Sequence, residues 1–247
     1  MAGYALLRTG PESWKWILAS PAFFAGLGLL LRTTAPESPM WLAARKTGEL
    51  QRASFATMFN SAFRGPLAFV SAMWLLQVVP LFAIYTYAPA VLTRLGLSEG
   101  SPAGSIAITA AFALGAFVAM PLVESWGRRP VCVAGFAIAA VAFGLLPFAP
   151  SLIIVAVFLA YAVGMGAATV LELVYPAELF PTSIRASATG FAAAVSRVGA
   201  FFGTFLLPIA LERLGVTTVI LGACALSTIG LVISLLWAPE TKECRIT

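Results

Sequence analysis

Long apolar runs alternate with short polar connections along this chain, and their lengths predict its fold class. A helix needs about 20 predominantly apolar residues to cross a membrane. Seven runs approach or exceed that length, and they are 14–31, 67–92, 103–123, 130–148, 152–174, 186–210 and 216–237. The pattern therefore predicts an all-α membrane protein with about seven transmembrane helices. The connection 149–151 is so short that it implies a tight helical hairpin.

The polar connections divide the chain into four parts. Segment 33–66 is the one long polar stretch, and it predicts a surface-lying loop between two membrane blocks. Residues 1–32 are then a leading segment with the first helix, 67–238 a six-helix bundle, and 239–247 a tail.

Lysine and arginine are concentrated on one side of the predicted helices. The connections on that side are 32–64, 124–129, 176–185 and 239–247, and they hold ten of the fifteen basic residues. After the first run, the opposite side holds only Arg94 and Arg213. Because cytoplasmic loops collect Lys and Arg, we expect the ten-residue side and the C-terminus to be cytoplasmic. The first helix then starts outside beside Arg8 and Lys15, which favours missing N-terminal helices or a second chain as a partner.

Composition agrees with a membrane location. Hydrophobic residues make up 60% of the chain and charged residues 10%, whereas a soluble domain has about 45–50% and about 25%. The lipid bilayer must therefore cover much of the surface. The net charge of +5 comes from basic residues scattered between apolar runs, so we expect no nucleic-acid partner. A bacterial inner membrane is the expected location.

The residue types exclude several kinds of chemistry. The chain has no histidine and no aspartate, so all ten acids are glutamates. This argues against His-based metal sites and Ser-His-Asp triads, and we expect no metal, no cofactor and no enzymatic activity. The cysteines Cys132, Cys224 and Cys244 show neither a disulfide nor a zinc pattern.

Four polar motifs follow predicted helices on the basic side. They are Pro36-Glu37-Ser38-Pro39-Met40-Trp41-Leu42, Gly127-Arg128-Arg129-Pro130, Pro176-Ala177-Glu178-Leu179-Phe180-Pro181 with Arg185, and Pro239-Glu240-Thr241-Lys242. An arginine fork binds carboxylates bidentately, so the motifs predict an ion-pair gate. Its candidate residues are Glu124, Arg128, Arg129, Glu178, Arg185 and Glu240. A plain positively charged loop is the alternative interpretation.

The third motif carries two structural expectations. Pro176 and Pro181 bracket it, and we expect both to break the helix. Glu178 and Arg185 are seven residues apart, which is two turns of a helix, so helical spacing would place them on one side.

The four motifs occur in an order that resembles the sugar porter branch of the major facilitator superfamily. The resemblance covers essentially the whole chain, and it implies family helices six to twelve, with helix six in 1–32 and the loop between the two halves in 33–66. It further implies a transporter of a small-molecule solute, in which two bundles rock about a midplane site. The gate would be closed while the carrier faces outward and would separate when it faces inward.

Two departures from the family pattern bear on the substrate. Glu124 and Ser125 stand where the family has Asp-Arg, and Phe82 stands where hexose carriers place an asparagine. Because a hexose needs many hydrogen-bonding partners, the sequence favours a metabolite or organic acid over a plain hexose. It resembles the metabolite:proton symporters of the family.

Five residues are candidates for the substrate pathway: Gln77, Tyr85, Tyr87, Glu172 and Arg197. A charge at membrane depth is costly unless paired or hydrated, so Glu172 is either functional or part of the gate. Arg197 fits a carboxylate site, a pair with Glu172 or a structural pair. The two tyrosines fit a cavity lining or an outer aromatic belt. A proton is a candidate coupling ion, and Glu172 is the acid best placed to carry it.

A second interpretation is that the chain resembles this family but does not transport a solute on its own. The chain would be a non-transporting fragment, or a half-unit that assembles with another membrane chain. We expect that these 247 residues do not transport alone.

Overall fold

A computed structural model describes residues 14–46, 48, 55–94 and 102–242 of the chain. Seven α-helices and two short 3₁₀ helices are present in these residues, and no strand occurs among them. In chain order they are α1 (Trp14–Thr34), α2 (Pro39–Lys46), a 3₁₀ helix (Phe55–Phe59), α3 (Ser61–Arg94), α4 (Pro102–Ser125), α5 (Arg128–Leu145), a 3₁₀ helix (Leu146–Phe148), α6 (Ser151–Leu179) and α7 (Thr182–Trp237).

The chain forms two compact units, residues 1–51 and 52–247. The first holds α1 and the short helix α2, where the Arg45 guanidinium carbon lies 5.3 Å from the centre of the Trp41 ring. The second is a helical bundle made of α3 to α7. The segment predicted as a loop, 33–66, includes α2, a 3₁₀ helix and the start of α3.

Five helices of the described residues are long and apolar enough to cross a membrane, and α1 adds a shorter apolar stretch, Leu18–Thr34. The longest, α7, has 56 residues and bends at Gly215. Gly215 has φ 78° and ψ 164°, a left-handed backbone that favours glycine. Gly215 therefore divides α7 into two arms that correspond to the last two predicted runs. The all-α membrane fold predicted from the sequence is confirmed.

One expectation about proline was wrong. Pro176 does not break the helix but lies inside α6, which continues to Leu179. The break comes at Phe180, whose φ of −117° and ψ of 133° are extended. The residue before a proline avoids the helical region, so Pro181 sets the end of α6. Proline inside a membrane helix is tolerated when neighbours satisfy the freed carbonyl.

Small residues let the bundle helices approach closely. A Cβ atom added to Gly166 of α6 would overlap the carbonyl of Phe112 in α4, and one added to Gly115 would overlap the carbonyl of Val163. Gly199 in the first arm of α7 packs against Leu75 of α3 in the same manner. These contacts make the bundle a tightly packed support for the polar residues at its end and in its middle.

Candidate functional site

The strongest polar cluster lies at one end of the bundle, where three connections meet. Arg128 begins α5 and is only 7% exposed. Its Nη2 donates to Glu178 Oε1 at 2.6 Å and to Glu124 Oε1 at 2.9 Å. Its Nε donates to Glu178 Oε1 at 3.0 Å, and its Nη1 donates to the Val123 carbonyl at 3.1 Å. We call Glu124, Arg128, Glu178, Glu240 and Thr241 the Arg128 cluster.

The two carboxylates that Arg128 binds differ in exposure. The side chain of Glu178 is 7% exposed, and that of Glu124 is 72% exposed. Glu178 also accepts a short hydrogen bond from the Thr241 hydroxyl. An exposed ion pair contributes about 0–1 kcal/mol, whereas a buried partner cannot be removed without leaving a buried charge. Glu178 is therefore the main partner of Arg128.

Glu240 binds the N-terminus of α5 from the tail. Its Oε1 accepts from the Arg128 backbone N–H at 3.0 Å, and its Oε2 accepts from the Arg129 backbone N–H at 3.2 Å. A carboxylate there satisfies free donors and the helix dipole. Gly127 has φ 105°, and a Cβ atom at this residue would lie 2.5 Å from Glu240 Oε2. Glycine is thus required for the tail to reach this helix end.

Hydrogen bonding lowers the pKa of Glu240. Partial burial acts to raise the pKa, but the backbone N–H groups of Arg128, Lys242, Arg129 and Thr241 together outweigh that effect. A group with a lowered folded pKa stabilises the protein fully above its unfolded pKa and loses that contribution as the pH falls through the folded value. Glu240 therefore links stability of the cluster to acid pH.

Replacing Glu240 by glutamine is expected to remove this dependence. In detergent micelles near neutral pH, Glu240→Gln should lower the free energy of unfolding by about 1 kcal/mol, the usual contribution of a helix N-cap. The difference from wild type should shrink as the pH falls below about 4, where the carboxylate protonates. Glu212→Gln, at an exposed glutamate of α7 outside the Arg128 cluster, is the control. A difference independent of pH would contradict the assignment.

The guanidinium groups of two residues predicted for the gate bond carbonyl oxygens rather than a carboxylate among the described residues. The Arg129 Nη2 donates to the Leu235 carbonyl at 2.5 Å, and the Arg185 Nε donates to the Phe180 carbonyl at 3.1 Å. The spacing of Glu178 and Arg185 assumed a continuous helix, and Pro181 interrupts it. Arg129 thus links α5 to α7, and Arg185 holds the turn between α6 and α7.

The sequence reasoning missed three tail contacts. The Thr241 hydroxyl binds Glu178, the Lys242 Nζ donates to the Ser125 carbonyl at 2.6 Å, and the Tyr175 hydroxyl donates to the Pro239 carbonyl at 3.2 Å. The signal was present in the Pro-Glu-Thr-Lys motif, which holds these tail residues. The motif therefore binds the tail to the connection that follows α4.

A second polar region lies within the span of the bundle. Gln77 of α3 is fully buried, and its Nε2 donates to Thr169 Oγ1 of α6 at 2.7 Å. Its Oε1 has no hydrogen-bond partner in the structure. Tyr85 and Tyr87 lie in α3, but their side chains fall outside the described residues.

Arg197 opens onto an aromatic cavity. It lies 15 residues after Thr182, where α7 begins, about 22 Å along the helix at 1.5 Å per residue. That depth falls inside a hydrocarbon core about 30 Å thick. Its guanidinium carbon is 5.6 Å from the centre of the Phe82 ring. The cavity has a volume of about 750 Å³ and is lined by Phe82, Arg197, Ala200, Phe201, Thr204, Phe205, Pro208 and Ile209.

Glu172 of α6 is not among the residues that line this cavity. It is partly buried, and the charge of Arg197 acts on it. The two side chains do not form a direct ion pair. No group of three or more metal-ligating side chains occurs within the part of the chain that the structure describes.

The Arg197 cavity suits a carboxylate solute, because the guanidinium supplies paired donors and the aromatic rings supply an apolar wall.

Comparison with known proteins decides the family. The family model described as "Sugar (and other) transporter" matches residues 1–64 and 49–246. The chain belongs to this branch of the major facilitator superfamily. The sugar (and other) transporter family thus accounts for nearly the whole sequence.

Relatives in this family are named for transport. YaaU of Escherichia coli (strain K12), named a metabolite transport protein, is 35% identical over 254 residues, which cover 93% of this chain and 57% of YaaU. The inner membrane metabolite transport protein YgcS of the same strain is 32% identical, with 98% and 60% covered. NiaP of Bacillus subtilis (strain 168), named for niacin and nicotinamide transport, is 28% identical, with 94% and 59% covered. The chain therefore spans less than two thirds of each relative.

A solved structure shows the same fold. The proton:xylose symporter XylE, bound to 6-bromo-6-deoxy-D-glucose, superposes with a TM-score of 0.78 at 20% identity. The match covers 99% of this chain and 61% of XylE. The chain is thus an integral membrane member of the sugar (and other) transporter family, with the fold of the corresponding part of a major facilitator.

Proposed function

We propose that this chain is part of a secondary transporter for a small organic acid. The observation that carries the proposal is Arg197, which faces a cavity of about 750 Å³ with Phe82, Phe201 and Phe205 on its walls. A guanidinium at membrane depth is costly unless it meets water, a partner or a solute. A flat carboxylate fits the site, since its charge pairs with Arg197 and its body packs on the rings.

A hexose fits this cavity less well. Sugar hydroxyls need many polar partners, and among the described residues the lining offers Arg197 and Thr204 as its polar side chains. NiaP, named for niacin and nicotinamide transport, is consistent with a small aromatic solute, although other relatives are named for sugars, such as the glucose facilitated diffusion protein of Zymomonas mobilis.

A binding titration on the chain in lipid nanodiscs tests the proposal. Benzoate is the probe, benzamide is its neutral match in size, and D-xylose represents a sugar. We expect benzoate to bind at least about tenfold more tightly than benzamide, since a charge-assisted bond contributes about 1.5–3 kcal/mol. Equal binding of acid and amide, or preferential binding of D-xylose, would contradict an organic-acid site.

The Arg128 cluster supplies the proposed gate. We place it, with the C-terminus, on the cytoplasmic side of a bacterial inner membrane, on the support of the basic loops and of the relative YgcS, named an inner membrane protein. Glu178, Glu124 and the tail would hold α5 and α6 together while the carrier faces outward. Separation of these contacts would accompany the inward-facing state in alternating access.

A half-unit is the alternative function. The chain spans 57% of YaaU and 60% of YgcS, and Arg197 lies on an exposed face of α7. Under this alternative the chain binds a solute on Arg197 but moves none across the bilayer until further helices, or a second membrane chain, complete the pathway.

A further inference from the structure

A second cavity lies between the two arms of α7, towards the break at Gly215. It has a volume of about 500 Å³, and its walls are apolar side chains of both arms together with Val79 and Pro80 of α3. We call it the α7 groove. Among the described residues of its lining, Thr218 has the one polar side chain. The walls therefore suit a hydrocarbon occupant rather than a sugar or a charged solute.

The α7 groove is separate from the Arg197 cavity, and the two linings share no residue. Phe201 lines the Arg197 cavity and Ala210 lines the groove. Nine residues separate them, which is about two and a half turns of a helix, so they lie on opposite sides of the first arm. An occupant of the groove therefore does not compete with a solute on Arg197.

The groove has the depth of one leaflet of a bilayer. It starts at Leu214, beside the break at Gly215, and it runs to Phe202 on the first arm and to Leu226 on the second. Both ends are twelve residues from Leu214, about 18 Å at 1.5 Å per residue, and half of the hydrocarbon core is about 15 Å. Phe202 and Leu214 are exposed, so the groove opens to its surroundings. Its length matches one acyl chain.

The mouth of the groove lies near one boundary of the hydrocarbon core. The second arm of α7 continues from the break at Gly215 to Trp237. That stretch is about 33 Å long at 1.5 Å per residue, which is close to the core thickness of about 30 Å. With Trp237 near one boundary, Gly215 lies near the other. Lipid headgroups are therefore at the level of the mouth.

Arg213 stands at this mouth, two residues before the break. It is exposed and makes no hydrogen bond or ion pair with the residues that the structure describes. It follows Leu206 of the lining by seven residues, two turns of a helix, and therefore shares its face. Helical side chains lean toward the helix N-terminus, which is here the direction of the groove. Glu212 is two residues after Ala210 and lies on a different face.

Membrane topology does not account for Arg213. Lysine and arginine collect in cytoplasmic loops, and Arg213 belongs to the opposite side, which after the first apolar run otherwise holds only Arg94. An exposed guanidinium beside an apolar groove at headgroup level instead suits a phosphate, which it binds through charge-assisted, paired hydrogen bonds.

We propose that the α7 groove binds a phospholipid of the surrounding bilayer, with one acyl chain between the arms of α7 and the phosphate on Arg213. Thr218, three residues after the break, lies at the level of the glycerol esters, where its hydroxyl donates to an ester carbonyl. The binding is non-covalent, and it makes the lipid a wedge that supports the bend of α7.

A phospholipid accounts for the walls and the mouth together. An apolar helix of a second copy would cover the walls but bring no anion to Arg213. Inorganic phosphate would pair with Arg213 but leave the apolar walls uncovered. A phospholipid supplies both parts in one molecule, and their separation is that of a headgroup from its own chain.

Native mass spectrometry of the purified chain in a nonionic detergent tests the headgroup contact. The probe is palmitoyl-oleoyl phosphatidylglycerol, and its match is palmitoyl-oleoyl glycerol, which has the same chains and no phosphate. We expect one phosphatidylglycerol per chain, bound at least about tenfold more tightly than the diacylglycerol, because the phosphate bond is charge-assisted. Arg213→Gln should abolish this preference. Arg64→Gln, at an exposed arginine where α3 begins, should bind as wild type does.

Gly222→Leu tests the groove itself. Gly222 lines the groove, and a Cβ atom added there meets nothing within 4 Å, so leucine fills the space without a collision. Leucine also favours a helix over glycine, so the denaturant midpoint should not fall. Phosphatidylglycerol should bind at least about tenfold more weakly, because its chain loses apolar contact. Gly190→Leu, at an equally open glycine of α7 outside the groove, is the control.

Each contrary result overturns the lipid site. Equal binding of the two lipids, or unchanged phosphatidylglycerol binding in Arg213→Gln, would show that the phosphate is not held there. Unchanged binding in a folded Gly222→Leu would place the lipid outside the groove. A wild-type dimer that Gly222→Leu converts into a monomer would assign the groove to a second copy. Arg213→Gln changes an exposed side chain, so it decides the matter even if Gly222→Leu fails to fold.

Discussion

Replacing Glu178 by alanine is expected to lower the free energy of unfolding by about 3 kcal/mol or more. Removing one partner of a buried ion pair typically costs about 3–5 kcal/mol, because the other charge stays buried without compensation. Arg128 is 7% exposed, and Glu178 Oε1 lies 2.6 Å from its Nη2. Arg128 would keep Glu124 and the Val123 carbonyl, which places the expected loss at the lower end of that range.

Glu124→Ala is the matched control for this prediction. It removes the other carboxylate of the same arginine, but one whose side chain is 72% exposed. We expect a loss of about 0–1 kcal/mol, measured by denaturant unfolding of both variants in the same micelles. Equal losses of unfolding free energy in the two variants would show that the buried carboxylate stabilises Arg128 no more than the exposed one. Glu178 would then not be the main partner of Arg128.

A double substitution of the Arg128–Glu178 ion pair distinguishes a role in stability from a role in gating. Replacing both Arg128 and Glu178 by methionine is expected to restore much of the stability lost in Glu178→Ala, since a buried pair exchanged for apolar residues is often neutral or stabilising. A gate, in contrast, needs contacts that form and break. Restored stability in this double variant would agree with the proposal that the pair serves the gate rather than stability.

The sequence predicts the helices well, because membrane helices depend on apolar length alone. Runs of about 20 apolar residues must be helical in lipid, where each backbone group has to be satisfied locally. The sequence does not predict which of the two prolines ends a helix. Pro176 continues α6, whereas Pro181 follows Phe180, whose extended backbone ends the helix. Gly215 bends α7 within a predicted connection.

The motifs predict which residues meet at the bundle end, and the structure is needed for their roles. Arg128, Glu124, Glu178 and Glu240 come together because the ends of α4 and α6, the start of α5 and the tail after α7 meet there. Arg129 and Arg185 carry the same charge as Arg128, yet they bind the carbonyls of Leu235 and Phe180. The sequence alone does not show which of the three arginines forms the ion pairs, because that depends on which guanidinium is buried next to a carboxylate.

The contact between Arg197 and the aromatic side chains of the cavity could not be predicted from the sequence either. Phe82 is 115 residues earlier in the chain, and only the packing of α3 against the first arm of α7 brings its ring to 5.6 Å from the guanidinium carbon. Gly199 and Gly203 make this approach possible, because a Cβ atom at either would collide with α3. The glycine pattern predicts close packing, but not what that packing exposes.

Arg197→Gln is expected to reduce benzoate binding by at least about tenfold. The substitution keeps a polar side chain of similar reach and removes the charge, so it removes a charge-assisted bond worth about 1.5–3 kcal/mol. The loss should be in affinity alone, because Arg197 is exposed and its ring contact with Phe82 contributes about 0.5–1 kcal/mol at such a site. Arg185→Gln, which removes an arginine from the same helix but outside the cavity, is the control.

One measurement tests the organic-acid site most directly: benzoate titration of wild type, Arg197→Gln and Arg185→Gln in identical nanodiscs. We expect Arg185→Gln to bind as wild type does and Arg197→Gln to bind at least about tenfold more weakly, with unfolding free energies of all three within about 1 kcal/mol. If Arg197→Gln binds benzoate as tightly as wild type, the solute does not depend on this guanidinium, and the assignment of the cavity to an organic acid is wrong.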